Sequence, residues 1–181
     1  MCDFKVLPEA DLAIGRLEPF DGSSLPQYPV LKNPKNLPFG TSLCKLGYPF
    51  YQVPVKFDEV TGNFELSLDA FSFPRFPLEG IYRRNMVVPN SDYGGRPIQF
   101  LETSSPGLRG QSGGPVFDSR GTVWAIQSKT IHIPLGFSPT VKDKGREIEE
   151  HQFLNVGLGV HPTLLTQFLR DNGVVFEESD Y

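Results

Sequence analysis

A single serine among three glycines is the feature of this sequence best suited to chemistry. It is Ser112, in the segment Gly110-Gln111-Ser112-Gly113-Gly114-Pro115. Glycines let the main chain turn sharply and bring N–H groups close to a bound group. Acyl transfer needs a nucleophilic oxygen beside N–H donors that stabilise the oxyanion. We therefore expect Ser112 to be a nucleophile and the N–H groups of Gly110 and Ser112 to form an oxyanion hole. The alternative is a glycine-rich turn that happens to contain a serine.

The second candidate for chemistry is a carboxylate, Asp11, which opens the apolar segment 11–17. An acid in this position can be buried and can orient an imidazole, as the acid of a catalytic triad does. By itself the signal is weak, because an acid at the start of a strand is usually a solvated turn residue.

The elements that must position these residues are predicted to be short β-strands. The chain of 181 residues contains 18 glycines and 17 prolines without a repeat, which favours a turn-rich β protein. Alternation and turn residues predict strands over 11–17, 41–46, 53–57, 64–68, 81–88, 98–103, 115–117, 122–126 and 153–160. Residues 69–80 and 138–152 are expected to be irregular. One helix is expected to begin at Pro162 and to stop at Asn172-Gly173. The fold class is thus a mostly β, antiparallel barrel with one C-terminal helix.

Composition excludes several partners. The net charge is −4 and no block of lysine and arginine occurs, so no nucleic acid partner is expected. No apolar run has transmembrane length and no signal peptide is evident. If Met1 is the true start, the protein is expected to be cytoplasmic and to have no membrane partner. Cys2 and Cys44 are expected to be unpaired thiols, and no motif predicts a metal or cofactor.

The segment around Ser112 resembles the nucleophile loop of trypsin-like (chymotrypsin-fold) serine proteases, and the chain looks closest to the disulfide-poor bacterial HtrA (Deg-type) branch. The resemblance covers about residues 9–172. In that family the chain order is His, Asp, Ser, and Asp11 precedes Ser112 by 112 − 11 = 101 residues. The other segments that carry the resemblance are 11–17 (the acid strand), 46–49 (the strand end that opens the second barrel), 121–126 (the hairpin after the serine) and 156–162 (the penultimate strand and helix entry).

The resemblance implies a serine endopeptidase domain that acts on a protein or peptide substrate. Ser112 and Asp11 would be catalytic, with the oxyanion hole as above. Residues Gln127, Ser128, Lys129 and Thr130 would line the substrate. No acid or base is evident at the pocket floor, so no side-chain preference is predicted. The implied division is a remnant of the first barrel (1–38), a complete second barrel with the helix (39–173) and an acidic tail (174–181).

One departure from the family is large, because no histidine precedes Ser112. We expect His132, His151 and His161 to be ordinary surface or capping residues. The leading hypothesis is an endopeptidase whose N-terminal part, with the base, is absent, so that this chain is weakly active or inactive. The alternative is a non-catalytic pseudoprotease that binds peptides.

Overall fold

Short strands dominate the structure, as the sequence predicts. The computed structural model describes residues 2–48, 55–66 and 75–181. The strands are β1 (Cys2–Leu7), β2 (Leu12–Arg16), β3 (Val30–Leu31), β4 (Ser42–Gly47), β5 (Val55–Asp58), β6 (Asn63–Leu66), β7 (Phe76–Tyr93), β8 (Arg96–Thr103), β9 (Pro115–Phe117), β10 (Val123–Pro134), β11 (Thr140–Asp143), β12 (Arg146–Glu149), β13 (Phe153–Val160) and β14 (Glu177–Glu178). The described residues also form the α-helix α1 (Pro162–Asp171) and short 3-10 helices at Pro8–Ala10 and Gly22–Ser24.

Six of the described strands close into a ring. Their order is β13-β8-β7-β4-β9-β10, and β10 pairs again with β13. Every pairing around the ring is antiparallel. The register of β10 and β13 shifts between Gln127 and Lys129, which is the mark of a β-bulge. The expected antiparallel barrel is confirmed, and the architecture is consistent with a chymotrypsin-like β fold.

One part of the core lies inside this ring. In a closed sheet, inward-facing side chains from strands on opposite sides of the ring meet in the interior. Leu43 of β4 and Leu101 of β8 belong to one buried cluster although β4 and β8 do not pair. The buried members of this interior cluster are Leu43, Tyr82, Leu101, Val116, Trp124 and Ala125.

The second part of the core lies on the outside of the ring, under the hairpin β1–β2 and the helix α1. Leu12 of β2 and Phe168 of α1 are buried together with Phe100 of β8. The helix begins at Pro162, with His161 as the N-cap, and ends before Gly173, whose φ of 70° is a conformation that glycine adopts without strain. The predicted helix is therefore confirmed at both ends.

Two predicted boundaries were wrong, and one strand was not predicted. Residues 2–7, for which the sequence predicts no strand, pair with β2. Residues 138–152 were expected to be an irregular loop, but they contain the hairpin β11–β12. Strand β7 begins at Phe76, inside the segment 69–80 that was expected to be irregular, and it runs to Tyr93. Each of these strands is mostly exposed, so apolar alternation does not reveal it.

The C-terminal residues lie against the ring. Strand β14 pairs in parallel with β3, and the N–H of Ser179 donates to Leu31 O at 2.9 Å. The guanidinium of Arg120 lies 4.2 Å from the ring centre of Tyr181. The division at residues 38 and 173 stays a prediction. Among the described residues, no helix is long and apolar enough to cross a membrane.

His161, the buried N-cap of α1, makes the free energy of unfolding depend on pH. The N–H of Thr163 donates to Nδ1 of His161 at 3.2 Å, and Nε2 is buried without a partner among the described residues. Burial lowers the pKa of His161 from 6.5 to about 4. Between these two values the unfolded chain binds more protons than the folded chain, so the free energy of unfolding decreases as the pH falls.

We expect His161→Asn to remove this dependence, because asparagine also caps a helix but does not titrate. Between pH 6.5 and 4, the wild-type protein should lose on the order of 3 kcal/mol more stability than the variant. Urea unfolding at pH 7.0 and pH 4.5 measures the difference. Parallel losses in the two proteins would contradict the prediction.

Candidate active site around Ser112

The loop that carries Ser112 is built from two consecutive turns. The N–H of Gln111 donates to Leu108 O at 3.0 Å, and the N–H of Gly114 donates to Gln111 O at 2.9 Å. The third residue of each turn is a glycine with positive φ, 90° at Gly110 and 80° at Gly113. These positions need glycine because other residues are strained there.

Main-chain hydrogen bonds fix this loop between two strands of the ring. The N–H of Tyr48, just after β4, donates to Gly110 O at 2.8 Å. On the other side, the N–H of Gly113 donates to Gln127 O at 2.8 Å. A Cβ at Gly114 would lie 2.1 Å from Leu46 O, so only glycine allows this approach.

Hydrogen bonds of the Gln111 side chain stabilise the serine loop. This residue is fully buried. Its Oε1 accepts from the N–H of Leu108 at 3.0 Å, and its Nε2 donates to Phe76 O at 3.3 Å. Sequence reasoning noted Gln111 only as the neighbour of the serine, because its role depends on β7.

Two hydrogen bonds connect Ser112 to Asp11. The hydroxyl of Ser112 donates to the main-chain O of Ser128 at 3.0 Å. The hydroxyl of Ser128 donates to Oδ2 of Asp11 at 2.6 Å. The structure thus brings together a candidate nucleophile, a candidate substrate residue and a candidate acid from three separate parts of the chain.

Asp11 occupies a special position between the first 3-10 helix and β2. Its φ of 54° and ψ of 44° are left-handed, a conformation that aspartate tolerates better than most residues. Its N–H donates to Pro8 O at 3.0 Å. The residue is exposed, whereas Leu12 beside it is buried.

The candidate oxyanion donors lie on the exposed side of the loop. Gly110 and Ser112 are both exposed. Among the described residues, neither N–H donates a main-chain hydrogen bond. The oxyanion hole formed by these two N–H groups stays a prediction.

The other candidate substrate residues lie on β10 next to Ser128. The Nε2 of Gln127 donates to Lys129 O and Leu158 O, both at 3.1 Å, while its buried Oε1 has no partner among the described residues. The hydroxyl of Thr130 donates to Gly107 O at 2.6 Å and accepts from the N–H of Gly107 at 2.8 Å. These contacts join β10 to the segment before the serine loop.

Ser112 lies between two cavities. A mostly apolar cleft of about 560 Å³ lies on the side of Asp11, under β2 and α1. A smaller pocket of about 210 Å³ lies on the other side; its lining residues are Gly107, Leu108, Arg109, Ser112, Gln127, Ser128, Lys129 and Thr130. The cleft has room for a group between the acid and the serine, and the pocket has room for one side chain.

The three histidines have partners elsewhere. His132 lies four residues beyond Ser128 on β10, about 13 Å along the strand, and it contacts Asn155. Nδ1 of His151 lies 2.9 Å from the hydroxyl of Ser138. His161 caps α1. The hydroxyl of Ser112 therefore donates to a carbonyl oxygen and not to an imidazole.

Sequence reasoning missed Lys45, which is fully buried inside the ring. Its ammonium donates to Pro106 O and to the hydroxyl of Ser105, both at 3.0 Å, and also to Ser105 O. Burial lowers the pKa of Lys45 to about 8. The signal in the sequence is its place between Leu43 and Gly47, on the inward face of an alternating strand.

Comparisons with known proteins do not assign a family. No protein-family model and no curated protein sequence matches the chain. Two solved structures of Rv3671c from M. tuberculosis H37Rv match part of this chain. One, of a serine-to-alanine mutant in an inactive form, has a TM-score of 0.45 and 16% identity over 83% of this chain and 56% of that chain. The other, named as the Rv3671c protease in an inactive form, has a TM-score of 0.45 and 17% identity over 83% of this chain and 57% of that chain.

The chain thus spans little more than half the length of these two structures. Similarity at this level does not transfer a function to the chain.

We expect Gln111→Met to destabilise the loop, because Leu108 N–H and Phe76 O would lose their buried partner. The free energy of unfolding should fall by about 1–3 kcal/mol. The matched control is the neighbouring Ser112→Ala, which removes an exposed hydroxyl and should change stability by less than about 0.5 kcal/mol. Urea unfolding of both variants measures the effect, and equal values would contradict the assigned role of Gln111.

Proposed function

We propose that this chain is a serine-type endopeptidase unit, which cleaves peptide bonds through an acyl-enzyme. The observation that carries the proposal is that Ser128 contacts both residues: its main-chain oxygen accepts from Ser112, and its hydroxyl donates to Asp11. Glycine-rich turns occur in many proteins. A turn that exposes a serine hydroxyl and lies close to a carboxylate from a distant part of the chain provides two of the groups that nucleophilic catalysis uses.

Each residue has a distinct role in this proposal. The oxygen of Ser112 attacks the peptide carbonyl, and the N–H groups of Gly110 and Ser112 stabilise the oxyanion. Asp11 orients a base and stabilises its protonated form. The strand 127–130 holds the substrate beside the serine. The C–N bond then breaks, and the amine leaves with the proton that the base took from Ser112. Water hydrolyses the acyl-enzyme and restores the serine.

This mechanism also needs a base, which His132, His151 and His161 do not supply. A carbonyl oxygen such as Ser128 O accepts a hydrogen bond but cannot take the proton of Ser112. We therefore expect this chain alone to be a poor catalyst. Oxyanion stabilisation without a complete triad leaves roughly 10³–10⁴-fold acceleration over water.

We expect a fluorophosphonate probe to label the protein slowly and at Ser112. Ser112→Ala should abolish labelling, and intact-mass spectrometry followed by peptide mapping measures it. Fast labelling without any additive would show that a working base is present in this chain. Labelling that persists in Ser112→Ala would exclude Ser112 as the nucleophile.

Added imidazole should accelerate labelling, because the apolar cleft between Asp11 and Ser112 has room for a small base. Asp11→Asn removes the charge that stabilises imidazolium, so the acceleration should disappear in that variant. The control is Asp92→Asn, which changes a carboxylate on β7 that lines neither cavity beside Ser112. The rate of labelling against imidazole concentration gives the result. Equal acceleration in wild type and Asp11→Asn would show that Asp11 does not stabilise the base.

One observation favours a second candidate, a peptide-binding pseudoprotease. The hydroxyl of Ser112 donates to an acceptor that cannot deprotonate it. This candidate predicts no labelling, with or without imidazole, and peptide binding that survives Ser112→Ala.

A further inference from the structure

The small pocket beside Ser112 has an unbalanced positive charge. Among the described residues, its lining includes Arg109 and Lys129 and no carboxylate. Asp11, whose carboxylate contacts Ser128, lines the other cavity. Lys129 extends over the ring of Phe100, with Nζ 4.5 Å from the ring centre. Arg109 is thus the cation at the rim of the pocket. The ammonium of Lys129 lies to one side and adds to the positive potential of the pocket.

A third cation lies behind the inner wall of this pocket. The ammonium of Lys45 has only neutral partners, namely the oxygens of Ser105 and Pro106. No ion pair between described residues includes it. A buried charge without a counter-ion is costly, so an anion placed nearby is stabilised.

The position of this ammonium next to the pocket follows from the sheet. Gly157 of β13 makes room for it, since a Cβ there would lie 2.6 Å from Nζ of Lys45. Thr130 pairs with Gly157 across β10 and β13, and the hydroxyl of Thr130 bonds to Gly107 in the pocket wall. The chain passes directly from Pro106, which accepts from Lys45, to Gly107.

We propose that this pocket selects an acidic side chain, aspartate or glutamate, at the residue whose carbonyl group Ser112 attacks. This inference rests on the proposed function, because the pocket is lined by the nucleophile itself. Arg109 attracts the carboxylate at the rim, and Lys45 stabilises it from behind the inner wall. The volume of about 210 Å³ suits one side chain and is below the range of about 300–1,000 Å³ that is usual for small-molecule sites.

Binding of uncleaved peptides tests the selection without catalysis. The probes are acetylated tripeptide amides that begin with two alanines and end in glutamate, glutamine or lysine, titrated into the full chain by calorimetry. The glutamate peptide should bind about tenfold more tightly than the glutamine peptide, and the lysine peptide most weakly. Equal affinities for glutamate and glutamine, or no binding of any peptide, would overturn the proposal.

Variants that remove a positive charge test which cations cause the preference for glutamate. Lys45→Met and Arg109→Gln should each reduce the ratio of glutamate to glutamine affinity at least about threefold. Lys142→Gln, an exposed cation on β11 that does not line the pocket, should leave the ratio unchanged. Near-ultraviolet circular dichroism checks that Lys45→Met is folded. If Lys45→Met does not fold, Arg109→Gln alone tests the proposal, because Arg109 is exposed. An unchanged affinity ratio in Arg109→Gln would overturn the proposal.

The two proposals fail separately. A labelled Ser112 without a preference for glutamate would overturn the acid-selective pocket alone. A preference for glutamate in a chain whose Ser112 is never labelled would overturn the endopeptidase assignment and leave an acid-selective peptide-binding pocket.

Discussion

The pairing of β10 with β13 closes the sheet into a ring, and every feature of the candidate site depends on that closure. Strand β10 receives the serine loop through Gly113 N–H and carries Ser128, which contacts both Ser112 and Asp11. Its bulge after Gln127 changes the register just where the strand passes the pocket. A bulge changes the direction of nearby side chains, so residues of this one strand line both cavities beside Ser112.

The packing of a small hairpin on the outside of the ring positions the acid. Leu7 and Leu12 are buried against β8 and α1, and Asp11 lies between them in a left-handed turn. The apolar neighbours hold the main chain, while the carboxylate stays exposed and reaches the hydroxyl of Ser128. Burial of flanking residues thus places a charged group without the cost of burying it.

The interior of the ring is less apolar at the end that faces the site. Lys45, Thr103 and Gln127 are buried there, whereas Leu43, Trp124 and Val116 fill the rest. Most of these polar atoms have hydrogen-bond partners, as a low-dielectric interior requires. The exceptions among the described residues include Oε1 of Gln127, on the wall of both cavities. Polar groups at this end reduce the stability that a fully apolar core would give.

The sequence by itself determined the elements that depend on local signals. Gly110 and Gly113 predict the turns because positive φ favours glycine, and the spacing of Leu164, Leu165 and Phe168 predicts the helix. The serine loop and the barrel class followed from such signals, whereas Asp11 was singled out as a candidate acid mainly by the resemblance to trypsin-like serine proteases. Only the tertiary structure decided which distant residues meet: that Ser128 connects Asp11 to Ser112, that Gln111 supports the loop from beneath and that Lys45 lies behind the pocket. The physical reason is that closure of a sheet brings together residues that are far apart in sequence, and local propensity carries no information about that register.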